Sequence, residues 1–177
     1  MQADPAAVGA PAAPSPLPLV ATVLALAGVR RGATVLDVLA GSGLSTRAAA
    51  AAAADGGTVI ALESDPALLA VGRARSAQPG WAPISWLHAG SAAVPLRAGS
   101  VDTVLCAPVP PRSFALDQAL PQLQRVIRVG GRVVVGGTTG SASQAASQLC
   151  AHGFSLAHLE EASWSGNPVW YLVGRRG

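Results

Sequence analysis

The sequence predicts an α/β fold in which a doubly wound, mostly parallel sheet carries helices on both faces and gains an antiparallel strand at one edge. Strand-like and helix-like segments alternate from residue 33 to residue 153, and repeated βα units of this kind form parallel sheets. Some strand-like segments, such as "ATVLDVL", are almost continuously apolar, as in strands buried on both faces. Two strand-like segments joined by a polar turn end the chain, and such a hairpin supplies the antiparallel strand.

The first half of the chain pairs apolar strands with segments of good helix formers. An apolar helix opens it and ends near Gly28 and Gly32. The alanine run after the first strand is a strong helix former, and Pro66 suits the first turn of the next helix. The predicted elements are helix 17–29, strand 33–39, helix 44–54, strand 58–62, helix 66–77, and strands 84–89 and 101–107.

The second half continues the alternation and then changes to a hairpin. Pro121 interrupts a helical pattern and should kink or restart that helix, which Gly130 and Gly131 should terminate. Gly153 closes a later helix of small residues. The predicted elements are helix 113–129, strand 132–137, helix 141–153, and strands 154–161 and 168–174 around a polar turn at 165–167.

The composition is that of a soluble single-domain protein. The chain has 177 residues, half of them hydrophobic and 12% charged, which excludes a wholly disordered protein. Residues 1–16 form a Pro/Ala-rich segment that we expect to be flexible, and residues 17–177 form one predicted domain. The longest apolar stretch, 17–29, is too short to span a bilayer and does not resemble a secretion signal. We therefore expect a cytoplasmic location and no membrane partner.

The charges and cysteines argue against nucleic-acid and metal binding. The net charge is +3 and every basic side chain is an arginine, but the arginines are scattered along the chain rather than concentrated in one segment. Cys106 and Cys150 lie far apart, without a CxxC pattern or a histidine at ligand spacing. Neither a zinc site nor a disulfide framework is predicted.

A glycine-containing turn after the first strand is the main candidate ligand site. Gly41 and Gly43 allow the backbone to approach a ligand, and the helix that follows presents free N–H groups. Glu63 ends the second strand, about 20 residues further on, where a carboxylate can accept hydrogen bonds from both hydroxyls of a ribose. The structural alternative is that strand-to-helix turns favour glycine in any protein. A nicotinamide or flavin dinucleotide is disfavoured, because Thr46 stands where GxGxxG needs its third glycine and Asp37 lies within the first strand.

Four segments resemble the motifs of class I S-adenosylmethionine-dependent methyltransferases, in the same order. "TVLDVLAGSG" is similar to "VLDxGxGxG", with Asp37, Gly41 and Gly43 in register and Leu39 at the first glycine. Glu63 resembles the acidic residue of the second motif. "HAGSAAVPLRAGSVDTVLCA" resembles "GDAxxLPFxDxSFDxVxx", and "QRVIRVGGRVVV" resembles "xRVLKPGGRxxx".

This resemblance implies a seven-stranded sheet with an antiparallel last strand and S-adenosylmethionine as the cofactor. It implies that the glycine loop meets the methionine part of the cofactor, with Asp37 near its amino group. Adenine would lie by Ser64, Asp65 and residues 90–92, and the substrate would approach residues 106–108. The implied cofactor-binding residues are Asp37, Leu39, Gly41, Gly43, Glu63, Ser64, Gly90, Ser91, Ala92 and Cys106.

The sequence also departs from the family pattern. Ser91 stands where an aspartate usually meets the adenine amino group, and loss of that charge should weaken the contact. Leu39 is bulkier than the glycine it replaces. No catalytic base stands out, since His88, His152 and His158 all have ordinary structural explanations.

The leading functional hypothesis is therefore a methyltransferase that acts on a small molecule, such as a secondary metabolite. The segment after the fourth strand, "CAPV", differs from the Asn/Asp-Pro-Pro-aromatic motif of enzymes that methylate nucleic-acid amino groups. A second hypothesis keeps the fold without methyl transfer, as a cyclase or a binding or scaffolding protein. A third, a nicotinamide-dependent enzyme, is disfavoured. Because the chain has few insertions that could cover the cleft, we expect the cleft to be open, or to be closed by a partner subunit in a homodimer or by residues 1–20.

Overall fold

The computed structural model describes residues 17–76, 78–106, 115–138 and 140–177. The predicted flexible segment 1–16, the substrate-facing residues 107 and 108 and the start of the predicted helix at 113 lie outside these residues. The elements of the described part are α1 (Leu17–Ala27), β1 (Thr34–Val38), α2 (Leu44–Ala53), β2 (Thr58–Glu63), α3 (Pro66–Ala74), β3 (Ile84–His88), β4 (Val101–Cys106), α4 (Leu116–Val126), β5 (Ile127–Gly137), α5 (Ala142–Ala151), β6 (Phe154–Trp164) and β7 (Asn167–Arg176).

The seven strands form one sheet in the order β3-β2-β1-β4-β5-β7-β6. Neighbouring strands from β3 to β5 are parallel, whereas β7 runs antiparallel to both β5 and β6. The chain therefore builds outward from β1 to β3, returns to the other side of β1 at β4, and closes with the hairpin. This confirms the predicted doubly wound, mostly parallel seven-stranded sheet with an antiparallel last strand.

Apolar side chains fill a layer on each side of the sheet. Leu36 and Val38 of β1 join a cluster that contains the buried faces of α4 and α5. Val35, the intervening residue, joins a cluster that contains the buried faces of α1 and α2. This alternation is what a strand buried on both faces requires, so the predicted helices on both faces are confirmed.

The junction between α4 and β5 differs from the prediction. The helix ends at Val126 and the strand begins at once with Ile127, so Gly130 and Gly131 lie within the strand and do not terminate the helix. The pairing of β5 with β4 is irregular here, and a Cβ on Gly131 would lie 2.6 Å from the Ile127 side chain. Glycine is required at position 131 because this close contact leaves no room for a Cβ.

Pro121 lies inside α4 and does not restart it. Its missing N–H leaves the Asp117 carbonyl without the usual helical donor. Both residues are exposed, so water can satisfy that carbonyl. The final strands are longer than predicted, and Ser165 and Gly166, with φ of 50° and 78°, form the tight turn between them. Among the described residues, no helix combines the length and the hydropathy that a membrane span requires.

Candidate functional site

The carboxyl edge of the sheet, where β1, β2 and β4 all end, gathers three of the predicted site residues. In the strand register Asp37 lies beside Ala61 of β2 and Leu105 of β4. Glu63 follows Ala61 by two residues and Cys106 directly follows Leu105. The three side chains therefore lie on both sides of the switch in strand order between β1 and β4, where open α/β sheets bind ligands.

The glycine loop, residues 39–43, joins β1 to α2 through a backbone with three positive φ angles. Leu39, Gly41 and Gly43 have φ of 60°, 58° and 86°. Glycine adopts this region freely, whereas the Cβ of another residue meets the carbonyl oxygen at a cost of about 1–2 kcal/mol. Leu39 therefore carries backbone strain, which is offset by packing of its side chain against the α4 and α5 cluster. This conformation explains why the motif that the segment resembles has glycine at this position.

Two polar side chains from neighbouring elements hold the glycine loop in place. Glu63 Oε2 accepts a hydrogen bond from the Gly41 N–H at 2.8 Å. Arg47 Nη1, from α2, donates to the Ser42 carbonyl oxygen at 2.9 Å. Because the two partners are charged, these bonds are stronger than those between neutral groups, and they fix the loop against β2 on one side and α2 on the other.

Trp86 of β3 packs between the glycine loop and α3. A Cβ on Gly43 would lie 2.8 Å from its ring, and a Cβ on Gly72 would lie 2.2 Å from it, so neither position has room for a larger residue. The indole N–H donates to Ser76 Oγ at 2.6 Å, which fixes the ring orientation. Nothing local in the sequence relates this tryptophan to the loop, because the two belong to separate elements.

Glu63 is fully buried, and both of its carboxylate oxygens accept backbone hydrogen bonds. Besides the bond from Gly41, its Oε1 accepts one from the Asp65 N–H at 2.8 Å. Sequence analysis predicted a bond to ribose hydroxyls and missed this role in ordering the loop. The ribose contact stays a prediction beside these two observed bonds.

Asp37 is also fully buried, and it is only half satisfied. Its Oδ2 accepts from Ser45 Oγ at 2.7 Å and from Thr46 Oγ1 at 2.6 Å, while Oδ1 has no partner among the described residues. Burial raises the pKa of Asp37 from 3.8 to about 6; the Thr46 and Ser45 hydroxyls oppose this rise and the charge of Glu63 adds to it. Leaving a buried acceptor unbonded costs about 1–3 kcal/mol. A ligand that donates a hydrogen bond to Oδ1 would remove this cost and would therefore bind favourably here.

The hydroxyl partners of Asp37 were not predicted. Sequence analysis treated Thr46 only as the residue in place of a third glycine. The signal that could have identified both hydroxyls is their position in the first turn of α2, directly after a loop that folds back over the end of β1. A carboxylate buried below a helix start needs donors of this kind.

The other predicted cofactor-binding residues follow the strands β2 and β3. The Ser64 carbonyl accepts a hydrogen bond from His88 Nε2 at 2.9 Å. Gly90 and Ala92 are exposed and Ser91 is half-buried, in the turn after β3. The role of this turn beside adenine stays a prediction.

The positions of Cys106, His152 and His158 have ordinary structural explanations. Burial first, and then the charge of Asp37, raise the pKa of the Cys106 thiol above its ordinary range, so it stays protonated and serves as a packing residue. His152 caps the end of α5, and His158 is exposed on β6 near Glu160. Among the described residues, no group of three or more His, Cys, Asp or Glu side chains is arranged to hold a metal ion.

These residues fit the cofactor that the resemblance implies. S-adenosylmethionine carries an ammonium group, a ribose with two hydroxyls and an adenine. The unpartnered Asp37 Oδ1 is a buried acceptor that suits the ammonium group, and Glu63 is a second carboxylate at the same edge. Gly41 and Gly43 add no side chains to the loop beside these carboxylates.

The sequence matches the ubiE/COQ5 methyltransferase family over residues 20–154. The chain belongs to this family. Membership confirms the resemblance to S-adenosylmethionine-dependent methyltransferases, with S-adenosylmethionine as the family's cofactor. It leaves the nicotinamide alternative without support.

Two relatives that are named as methyltransferases are moderately similar to the chain. It is 35% identical over 109 residues to a ubiquinone/menaquinone biosynthesis C-methyltransferase of Hahella chejuensis, which covers 61% of this chain and 44% of the relative. It is 36% identical over 122 residues to a demethylmenaquinone methyltransferase of Clavibacter sepedonicus, covering 66% and 45%. The chain thus spans less than half the length of these curated relatives.

Solved structures share the fold at lower identity. A SAM-dependent methyltransferase from Aquifex aeolicus superposes with a TM-score of 0.77 at 20% identity, covering 92% of this chain and 93% of that one. The [4+2]-cyclase SpnF superposes with a TM-score of 0.75 at 14% identity, covering 90% and 80%. Since one of these proteins is a methyltransferase and the other a cyclase, the fold alone does not define the reaction.

Proposed function

We propose that this protein transfers the methyl group of S-adenosylmethionine to a small organic molecule. The observation that carries the proposal is the fully buried Asp37, whose Oδ1 lacks a partner among the described residues beside a loop with three left-handed positions. A buried acceptor of this kind favours a ligand with a charged donor, and the cofactor's ammonium group is one. Membership of the ubiE/COQ5 family supports the same cofactor.

In this proposal the protein mainly binds, aligns and excludes water. When bound, S-adenosylmethionine would supply a methyl group on a positively charged sulfur: the nucleophile would bond to the methyl carbon as the carbon–sulfur bond breaks and S-adenosylhomocysteine leaves. Asp37 accepts a hydrogen bond from the ammonium group, Glu63 accepts from the ribose, and residues 90–92 lie by adenine. The loop is already fixed by Glu63 and Arg47, so little of the binding free energy is spent on ordering it.

The proposed acceptor is a small molecule. The two named relatives carry names that refer to quinone biosynthesis or to demethylmenaquinone, which supports an organic small molecule over a nucleic acid or a protein. Cys106 is not the group that activates this acceptor, because its thiol stays protonated. A secondary metabolite as the acceptor, a homodimer and a cytoplasmic location stay predictions from the sequence.

A second function is a non-methylating enzyme or binding protein on the same fold. The strained Leu39 within the glycine loop favours it, since a larger side chain occupies a position where the resembled motif has none. Ser91 favours it as well, because a neutral hydroxyl replaces a carboxylate at the proposed adenine contact. On this alternative, both changes would weaken cofactor binding while the fold is kept.

Calorimetric titration with S-adenosylhomocysteine tests the cofactor site, because this product keeps the ammonium group, the ribose and the adenine. We expect the wild-type protein to bind it and Asp37→Asn to bind at least about tenfold more weakly, since an amide in place of the carboxylate removes the charge that pairs with the ammonium group. Asp117→Asn is the matched control. It removes the same charge from the exposed first turn of α4 and should leave the affinity unchanged.

Incubation with S-adenosylmethionine that carries a deuterated methyl group and a protein-free small-molecule extract then separates the two functions. Mass spectrometry should detect a labelled small molecule with the wild-type protein and much less with Asp37→Asn. Turnover of an extract component without loss of the methyl donor would favour the non-methylating alternative. Absence of any titration heat with wild-type protein, at several temperatures, would contradict the cofactor site itself.

A further inference from the structure

Three arginines meet at the amino edge of the sheet, the edge at which β1 and β4 begin. Arg132 of β5 and Arg175 of β7 are direct cross-strand partners, so their side chains stand on the same face of the sheet. Arg132 Nη1 lies 3.1 Å from the position of a Cβ on Gly28, just after α1. Arg30 follows two residues later in the same turn. Arg132 therefore lies below the end of α1 with Arg175 beside it, and Arg30, in the turn after the helix, is near enough for its charge to act on Arg132.

No acidic side chain of the described residues pairs with these three arginines. Asp102 precedes Thr103, the strand partner of Arg132. Its carboxylate already forms an ion pair with Arg128 and accepts a hydrogen bond from the Thr34 N–H. Glu160 lies opposite Tyr171, four residues along β7 from Arg175, which is about 13 Å in an extended strand.

The cluster is electrostatically unfavourable as it stands. Like charges directly opposite each other in a sheet are destabilising. Burial, and then the charges of Arg175 and Arg30, lower the pKa of Arg132. The end of α1 offers only the partial negative charge of a helix C-terminus, which is too small to balance three guanidinium groups.

We propose that Arg30, Arg132 and Arg175 form a binding site for the phosphate group of a small molecule, at the edge opposite the glycine loop. A phosphate dianion offsets most of the positive charge that the three side chains bring together. Its oxygens accept the paired N–H donors of guanidinium groups in the geometry that arginine favours. Three arginines are too few for nucleic acid, which engages many phosphates along its backbone.

Thermal unfolding in inorganic phosphate, compared with sodium chloride at the same ionic strength and pH, tests this site. We expect phosphate to raise the Tm of the wild-type protein by at least about 3 °C, because a ligand of the folded state stabilises it. Arg175→Gln should lose this response. In chloride it should unfold at the same temperature as wild type or higher, since the repulsion with Arg132 is removed.

Arg97→Gln is the control, since it removes one exposed positive charge from the loop after β3. It should keep the full response to phosphate. Equal responses of wild type and Arg175→Gln would overturn the site, as would an equal loss in Arg97→Gln, which would indicate a net-charge effect. Arg30→Gln gives a second test on a residue outside the strands.

Vesicles separate a free phosphate ligand from a lipid headgroup. Co-sedimentation with phosphatidylglycerol vesicles, together with no response to inorganic phosphate, would overturn the proposal in favour of a membrane surface. A response to inorganic phosphate without vesicle binding supports a small phosphorylated ligand.

Discussion

The two edges of the sheet carry opposite charges that the described residues leave unbalanced. At the carboxyl edge the negative charge belongs to Asp37, which is fully buried and has an unpartnered oxygen. At the amino edge the positive charge is shared by Arg30, Arg132 and Arg175, of which Arg30 and Arg175 are exposed. The carboxyl edge thus holds a buried carboxylate with an unbonded oxygen in a dry setting, and the amino edge holds three positive charges, two of them exposed to water.

This difference in burial sets the size of the electrostatic cost at each edge. The rise in the pKa of Asp37 from 3.8 to about 6 corresponds to about 3 kcal/mol. Repulsion between exposed guanidinium groups is screened by water and salt and is much smaller. Each cost would be relieved by a ligand of opposite charge, an ammonium group at the carboxyl edge and a phosphate at the amino edge.

The largest expected effect is the pH dependence caused by Asp37. Because its pKa in the folded state, about 6, exceeds its ordinary value of 3.8, the folded protein binds this proton more tightly than the unfolded chain does. The resulting stabilisation is complete below about pH 3.8 and is lost as the pH rises through about 6. Asp37→Asn should therefore gain up to about 3 kcal/mol in free energy of unfolding over wild type between about pH 4 and pH 7.

Urea unfolding at several pH values, without any ligand, measures this difference. Asp117→Asn, exposed in the first turn of α4, serves as the control; it loses a favourable charge at the helix start, so it should differ from wild type by a small amount that does not change between pH 4 and pH 7. A wild-type minus Asp37→Asn difference that stays constant between pH 4 and pH 7 would show that Asp37 does not titrate in this range. The contrast between the two edges would then lose its basis.

A middle-sized effect is expected from the backbone of Leu39. With φ of 60°, an alanine here would keep the strain and lose the packing, whereas a glycine would lose the packing and relieve the strain. We expect Leu39→Gly to be more stable than Leu39→Ala by about 1 kcal/mol, the reverse of the usual order of these residues. Denaturant unfolding of the two variants gives this comparison directly, and the usual order would refute a left-handed Leu39.

The smallest effect should come from salt at the amino edge. Arg175 is exposed, so its repulsion with Arg132 should weaken as ionic strength rises. In chloride, the Tm advantage of Arg175→Gln over wild type should be about 1–2 °C at low salt and should shrink at high salt. The Asp37→Asn advantage at pH 7 should change little, because buried charges are screened much less. Equal salt sensitivity of both variants would contradict the difference in burial.

The sequence predicted most of the fold because its signals are local. Apolar strands, the alanine run of α2 and the turn at 165–167 each identify an element without knowledge of its neighbours. The prediction was wrong at the α4–β5 junction, because Gly130 and Gly131 look like a helix end. Gly131 is required because a Cβ would crowd the neighbouring backbone, and Gly130 because its φ is 77°, and only the three-dimensional structure shows these requirements.

The candidate site was predicted at the level of which edge and which carboxylates. Family-like spacing placed Asp37 and Glu63 at the ends of adjacent strands, as the structure shows. It did not predict that Glu63 holds the loop, or that Trp86 packs on Gly43, since these contacts join separate elements. The arginine cluster was missed for the same reason, because the register of β5 with β7 creates it.

Proton release on cofactor binding tests the central claim most directly. If the ammonium group of S-adenosylhomocysteine pairs with Asp37, binding lowers the pKa of this carboxyl and expels its proton. Calorimetry at about pH 5.5, in two buffers with different ionisation enthalpies, should then show release of up to about 0.8 proton per molecule bound. The release should fall to nearly zero at about pH 8 and be absent in Asp37→Asn. Binding of S-adenosylhomocysteine at pH 5.5 without proton release would contradict the assignment of Asp37 to the ammonium group.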